Sequence, residues 1–276
     1  TQHVRHWDRG LPDAGDGRDL RVRTLSALPP WLIIAIGFVL FAAVSAGCRF
    51  ALNRGASPER SAHLEEYAGK LLGVFGATFA FLVGFSITIT WSAVSAGQDA
   101  VDLQASSAQQ LSWAASAIPD QAGADEVNDN LREYLNTVVN KDGPALAEGI
   151  VSGLPSAETF DKLQNSVHRV ASAGNADPAA SGMVSAAASL TAAQSKVTAV
   201  AQRSLPAILV ALILLSGLLL AATVGMSALT VERPHLMYAW AFLAAVSLAV
   251  VLMIDFPFGG GIGVNLGPLS VAAGSI

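Results

Sequence analysis

Four stretches of the chain carry no Asp, Glu, Lys or Arg: 31–48, 71–94, 205–230 and 236–254. Each reaches the roughly 17–25 residues that a helix needs to cross a hydrocarbon core. Trp31, Tyr67, Trp91, Tyr238 and Trp240 fall at or near the ends of these stretches, where amphipathic rings prefer the headgroup level. The pattern predicts an all-α integral membrane protein with four transmembrane helices. A soluble protein with four buried core helices is the competing reading, but core helices seldom run so far without a charge.

The segments between the spans set the rest of the organisation. Residues 1–30 form an arm rich in Arg, Asp and Gly that ends at Pro29-Pro30, the pattern of a flexible leader. Residues 49–70 read as a connecting surface loop with a short helix around 58–67. Beyond span two the chain keeps apolar residues at helical spacing through Val101, Ala105, Ala108, Leu111 and Ala115 until Pro119, so span two should continue outward as one long helix. Further helices are expected over 124–140, where Gly143-Pro144 breaks the pattern, over 157–173, and from an Asp177-Pro178 start signal into span three, with a kink at Pro206. Residues 95–204 thus read as a helical extramembrane domain inserted between spans two and three, and 255–276 as a C-terminal tail.

Composition removes several function classes. Only 13% of residues are charged against 52% hydrophobic, and the mean hydropathy is +0.48. The net charge of −5 and the lack of a basic cluster argue against nucleic acid. Cys48 is the single cysteine, so no intrachain disulfide forms. His3, His6, His63, His168 and His235 include no HxxxH spacing for two metal ligands on one helical face. The glycines at 261, 263 and 267 follow a membrane helix rather than a strand, which favours a loop over a cofactor cradle. With no nucleophile elbow and no P-loop, the sequence predicts no enzyme, no catalytic residues, no metal and no cofactor. The polar opening of the chain, with Arg5, Arg9, Arg18, Arg21 and Arg23, is no signal peptide, so the first span should direct insertion.

Candidate chemistry therefore concentrates in span two. Gly73, Gly76, Ala77 and Gly84 are small residues of the kind that let membrane helices approach closely. Phe75, Phe79, Phe81 and Phe85 bring four rings into eleven residues, with Phe81 and Phe85 one turn apart. Ser86, Thr88 and Thr90 add hydroxyls. One reading is a packed helix whose hydroxyls bond their own i−4 carbonyls. The other is a pore-facing helix with an aromatic constriction and a hydroxyl-lined mouth.

The segment Phe81-Leu82-Val83-Gly84-Phe85-Ser86-Ile87-Thr88 resembles the F-x-x-G-F-x-[VI]-T stretch of bestrophin anion channels. The arrangement of two spans, a helical insert and two spans, followed by Asp255-Phe256-Pro257-Phe258-Gly259 and Val264-Asn265-Leu266-Gly267-Pro268-Leu269, is similar to a bacterial bestrophin-like family over about residues 32–270. The resemblance implies that Phe81 and Phe85 line a hydrophobic neck, with Ala77 standing where bestrophins carry a bulkier aliphatic residue. It implies a homo-oligomeric channel, anion-permeable, in contact with membrane lipid in a bacterial plasma membrane. The alternative is a non-conducting scaffold or accessory subunit whose domain at 95–204, with 12 acidic against 6 basic residues, binds a protein partner. Positive charges near the spans tie, five against five. The orientation, with both termini and the 95–204 domain cytoplasmic, therefore rests on the resemblance and on the Arg-rich arm. Asp255, at the end of span four, should be a structural tether held by backbone N–H groups of the 259–263 loop.

Overall fold

The computed structural model describes residues 29–55, 58–173, 178–203, 205–229, 235–255, 257–259 and 263–276. The expectations for the arm before Pro29, for the Asp177 cap and for Gly261 lie outside them. Every regular element among the described residues is helical: α1 (Pro30–Gly55), α2 (Pro58–Ser116), α3 (Gln121–Thr137), a π-helical turn (Val138–Asp142), α4 (Gly143–Ala147), α5 (Ser156–Ala173), α6 (Pro178–Ala201), α7 (Ala207–Ser227), α8 (His235–Ile254) and α9 (Gly267–Ser275). Four of them, α1, α2, α7 and α8, are long and apolar enough to cross a membrane.

At 59 residues and 1.5 Å per residue, α2 extends about 88 Å. Its first half packs against α7 and α8, and its second half against α3, α6 and α9. Small residues set the close crossings of the membrane bundle, as expected where lipid supplies no hydrophobic drive between helices. A Cβ on Gly37 would stand 3.3 Å from that of Ala245, and one on Gly217 would press on both Phe41 and Phe79. Ser45 Oγ donates to the Ala221 carbonyl at 2.8 Å, tying α1 to α7. A second core gathers Leu111 from α2, Leu131 and Leu135 from α3, Leu163 from α5, Met183 and Leu190 from α6, and Leu269 from α9. Arg169 grips Glu126 through both carboxylate oxygens across α3 and α5, and this bond holds the Glu126 carboxyl below the usual range.

Three local outcomes differ from the sequence expectation. Residues 49–70, expected as a connecting loop with a short helix around 58–67, are helical on both sides of 56–57, and the helix at 58 runs without a break into the apolar run thirteen residues on. An i,i+4 contact between Glu66 and Lys70 supports that solvated first stretch. Gly143-Pro144 does not end its helix, because a π-helical turn absorbs the proline before α4 continues. Proline excludes the carbonyl four residues back and offers no N–H, so the ladder opens by one residue there.

The third is Pro206. In place of a kink in one continuous helix, α6 stops at Ala201 and α7 starts at Ala207. Proline pushes the preceding residue out of the helical region, which breaks the run at Leu205. The 255–276 tail likewise contains a helix. Pro268 occupies its first turn, where a missing N–H costs nothing, and Leu269, Ala272 and Ala273 bury in this second core.

Candidate functional site

Own-chain packing covers only one face of α2. Phe79, Val83, Ser86, Thr90, Val94 and Val101 are buried, recurring every three to four residues on the side of α7, α8 and α6. The opposite face is bare. Ala77, Phe81, Phe85, Thr88, Ser92, Ser95 and Asp99 are all exposed, and at 3.6 residues per turn they form one straight stripe. Phe81 is 69% exposed and Phe85 48% exposed. Their rings lie parallel, 6.0 Å between centroids and 6° between planes, so each ring's neighbour is the other ring rather than another helix.

The four residues singled out as pore-facing, Ala77, Phe81, Phe85 and Thr88, share this stripe. Ser92, Ser95 and Asp99 extend it outward. They continue the same 3–4 spacing past the end of the apolar run. The hydroxyls also show the packing behaviour. Ser86 Oγ donates to Leu82 O at 2.8 Å, Thr88 Oγ1 to Gly84 O at 3.0 Å and Thr90 Oγ1 to Ser86 O at 2.9 Å. The Thr88 proton is therefore committed to the helix, while its oxygen lone pairs face outward. Gly73, Gly76 and Gly84 have open space within the chain, since a Cβ on any of them would meet nothing within 4 Å.

Below the span, the tail closes onto α2. Gln98 Oε1 accepts the Asn265 N–H at 2.9 Å, and its Nε2 donates to Asp102 at 3.1 Å. A Cβ on Gly97 would stand 2.6 Å from the Val264 side chain, so only glycine admits the tail here. Asn265 Oδ1 in turn accepts the Gly267 N–H at 2.8 Å and starts α9. No sequence signal links Gln98 to a residue 167 positions away.

Asp255 bonds across the chain to the start of span three. Its Oδ1 accepts the Leu205 N–H at 2.7 Å, and residues 260–262 of the loop expected to hold it lie outside the described residues. The helix break at Pro206 frees that N–H, and the carboxylate satisfies it. Burial pushes the Asp255 carboxyl up and the Leu205 bond partly offsets this. Thr88, Ile89, Ser92, Arg203, Pro206 and Asp255 are among the residues lining a cavity of about 970 Å³ between α2 and this junction. Among the described residues, no three His, Cys, Asp or Glu side chains converge on a metal-sized site.

The fold thus holds four candidate membrane spans, with one face of the longest left uncovered by its own chain. The bestrophin-like domain family matches residues 39–269, and the chain belongs to that family. Among solved structures, it resembles a bacterial bestrophin homologue from Klebsiella pneumoniae. The structure of that protein phased on zinc matches with a TM-score of 0.62 at 14% identity, covering 88% of this chain and 95% of the other. Two of its point variants match at 0.63 and 13% identity, with 87% and 96% covered, and at 0.64 and 14% identity, with 87% and 94% covered. At these identities the likeness establishes the fold. No curated protein sequence matches the chain.

Proposed function

We propose that the chain is one subunit of a homo-oligomeric membrane channel whose conduit runs along the bare face of α2. The observation that carries this reading is the stripe of Ala77, Phe81, Phe85, Thr88, Ser92 and Asp99, exposed throughout while α1, α7 and α8 pack elsewhere. Four helices leave too few walls to enclose a path, so copies must surround an axis. With the stripe on that axis, Phe81 and Phe85 form a hydrophobic neck where water is poorly held, and Thr88 and Ser92 form a wetter mouth. Gly73, Gly76 and Gly84 then serve approach between copies, which their open surroundings suit.

The permeant ion on this reading is an anion. Phenylalanine edges carry the positive end of the ring quadrupole, and edges turned to the axis favour an ion that has shed water and bears negative charge. A cation is the second reading, because α2 has Asp99 and Asp102 and no Lys or Arg between Leu71 and Ser116. Rings of carboxylate concentrate cations. We place the protein in a bacterial plasma membrane with both termini and the 95–204 domain cytoplasmic. The Arg-rich arm supports that side. Labelling of Ser185→Cys, exposed on α6, by an impermeant thiol reagent in intact cells would reverse the orientation.

Ion flux from liposomes containing the purified oligomer tests the function. Flux that depends on residues 81 and 85 supports it, and an oligomer without flux under any ionic condition removes it.

A further inference from the structure

The cavity beside the second span has a counterpart on the other flank of the same helix. Ile89 and Ala93 line the cavity on one flank, with Thr88 and Ser92 of the stripe at its edge, and Trp91, two positions on from Ile89, stands 54% exposed. Residues two apart on a helix point about 160° from each other, so the two flanks of α2 carry a cavity and a bare indole at one level. The Trp91 flank also carries Gly73, Ala77, Ala80 and Gly84, all exposed. A second helix can therefore come close along it.

We propose that the Trp91 indole of one copy seats in this cavity of the next. The inference rests on the oligomeric channel reading: with Phe81 on the axis, the two flanks of α2 face the two neighbours. A heterologous contact of this kind, knob on one side and socket on the other, repeats around a closed ring. The socket suits an indole chemically. Ile89, Leu205 and Pro206 offer apolar wall, and Arg203 offers a guanidinium that can lie over the ring face. A buried indole N–H needs an acceptor. The Asp255 carboxylate, of whose acceptor positions Leu205 takes one, supplies it. Asp255 then joins three segments: span four, the start of span three, and the neighbouring copy.

Cross-linking in a Cys48→Ser background tests this. Two single variants, Trp91→Cys and Ala207→Cys at the cavity wall, are co-expressed and treated with a short bis-maleimide in the membrane. The expected result is a covalent dimer that needs both variants. Trp91→Cys paired with Leu215→Cys, which is exposed deeper along α7, should give none. When both cysteines are in one chain, the ladder should extend to the full ring. As a second arm, Ala207→Trp fills the socket at an exposed position, so the subunit should fold while the ring dissociates.

An intact ring by light scattering that links no better through 91 and 207 than through 91 and 215 overturns the inference and leaves the channel reading standing. A phospholipid co-purifying one per subunit and displaced by Ala207→Trp, with the ring intact, also overturns it in favour of a lipid site. The absence of any ring, with the wild-type chain monomeric in mild detergent, overturns both.

Discussion

The Asp255 carboxylate accepts the Leu205 backbone N–H at 2.7 Å across fifty residues, joining the end of α8 to the non-helical turn that precedes α7. The bond exists because Pro206 breaks the helix and leaves Leu205 without an i−4 partner. Asp255→Ala should therefore cost about 1–3 kcal/mol, the penalty of an unpaired buried donor, read as a loss in thermal stability of the purified protein. Asp255→Asn keeps an acceptor and should cost much less. An Asn variant that folds normally but changes ion selectivity would instead make this residue part of the ion path.

Two glycines should behave oppositely. A Cβ on Gly225 would collide with the Ser45 backbone, whereas one on Gly84 meets nothing in its own chain. Gly225→Ala should destabilise the subunit by about 1–3 kcal/mol through overpacking. Gly84→Leu should leave subunit helicity and expression unchanged and lower the oligomer fraction. Size-exclusion chromatography with light scattering, beside circular dichroism, separates the two outcomes.

Asp142 gives a pH signature in the helical region between the second and third candidate spans. Its carboxylate is buried and accepts the Ser156 N–H at 3.0 Å. Burial raises its pKa above the ordinary 3.8, and the Ser156 bonds only partly offset this. A carboxyl with a raised folded-state pKa contributes stability that is fully present below 3.8 and is lost as pH rises through the folded value. The wild type should thus gain stability relative to Asp142→Asn as pH falls from 7 towards 4. The opposite trend in paired unfolding curves would mean that Asp142 is held ionised.

Selectivity separates the two ion readings. If carboxylates concentrate cations below the neck, Asp99→Asn with Asp102→Asn should move the reversal potential towards anions. If the neck alone selects, the double variant should change conductance and salt dependence while leaving the reversal potential near its wild-type value. Asymmetric salt across a planar bilayer measures both.

Much of the architecture was legible because the spans announce themselves. Segment 71–94 is uncharged, and the 3–4 spacing that runs from Ala77 through Phe85 continues past the membrane into Ser92 and Asp99. At 49–70 the sequence suggested only a short helix around 58–67, because too few apolar residues mark a longer one, and Glu66 and Lys70 support its continuation into span two. The tail misled because Gly267-Pro268 reads as a loop. Yet Pro268 sits in a helical first turn, and Leu269, Ala272 and Ala273 repeat at helical spacing. The Asp255–Leu205 and Gln98–Asn265 bonds were illegible, since each joins irregular backbone to a partner 50 or 167 residues distant. Trp91 read as an interfacial anchor, and the cavity at its level, lined by Ile89, is visible only in the fold.

Ion flux through the reconstituted oligomer, wild type against Phe81→Ala with Phe85→Ala, tests the central claim most directly. The rings are exposed and stacked on each other, so their removal should wet and widen the neck and raise flux several-fold, with oligomer and stability unchanged. If they are instead packing residues, each truncation leaves a void worth roughly 3–5 kcal/mol in a protein core. Loss of oligomer or expression without any gain in flux would contradict the account.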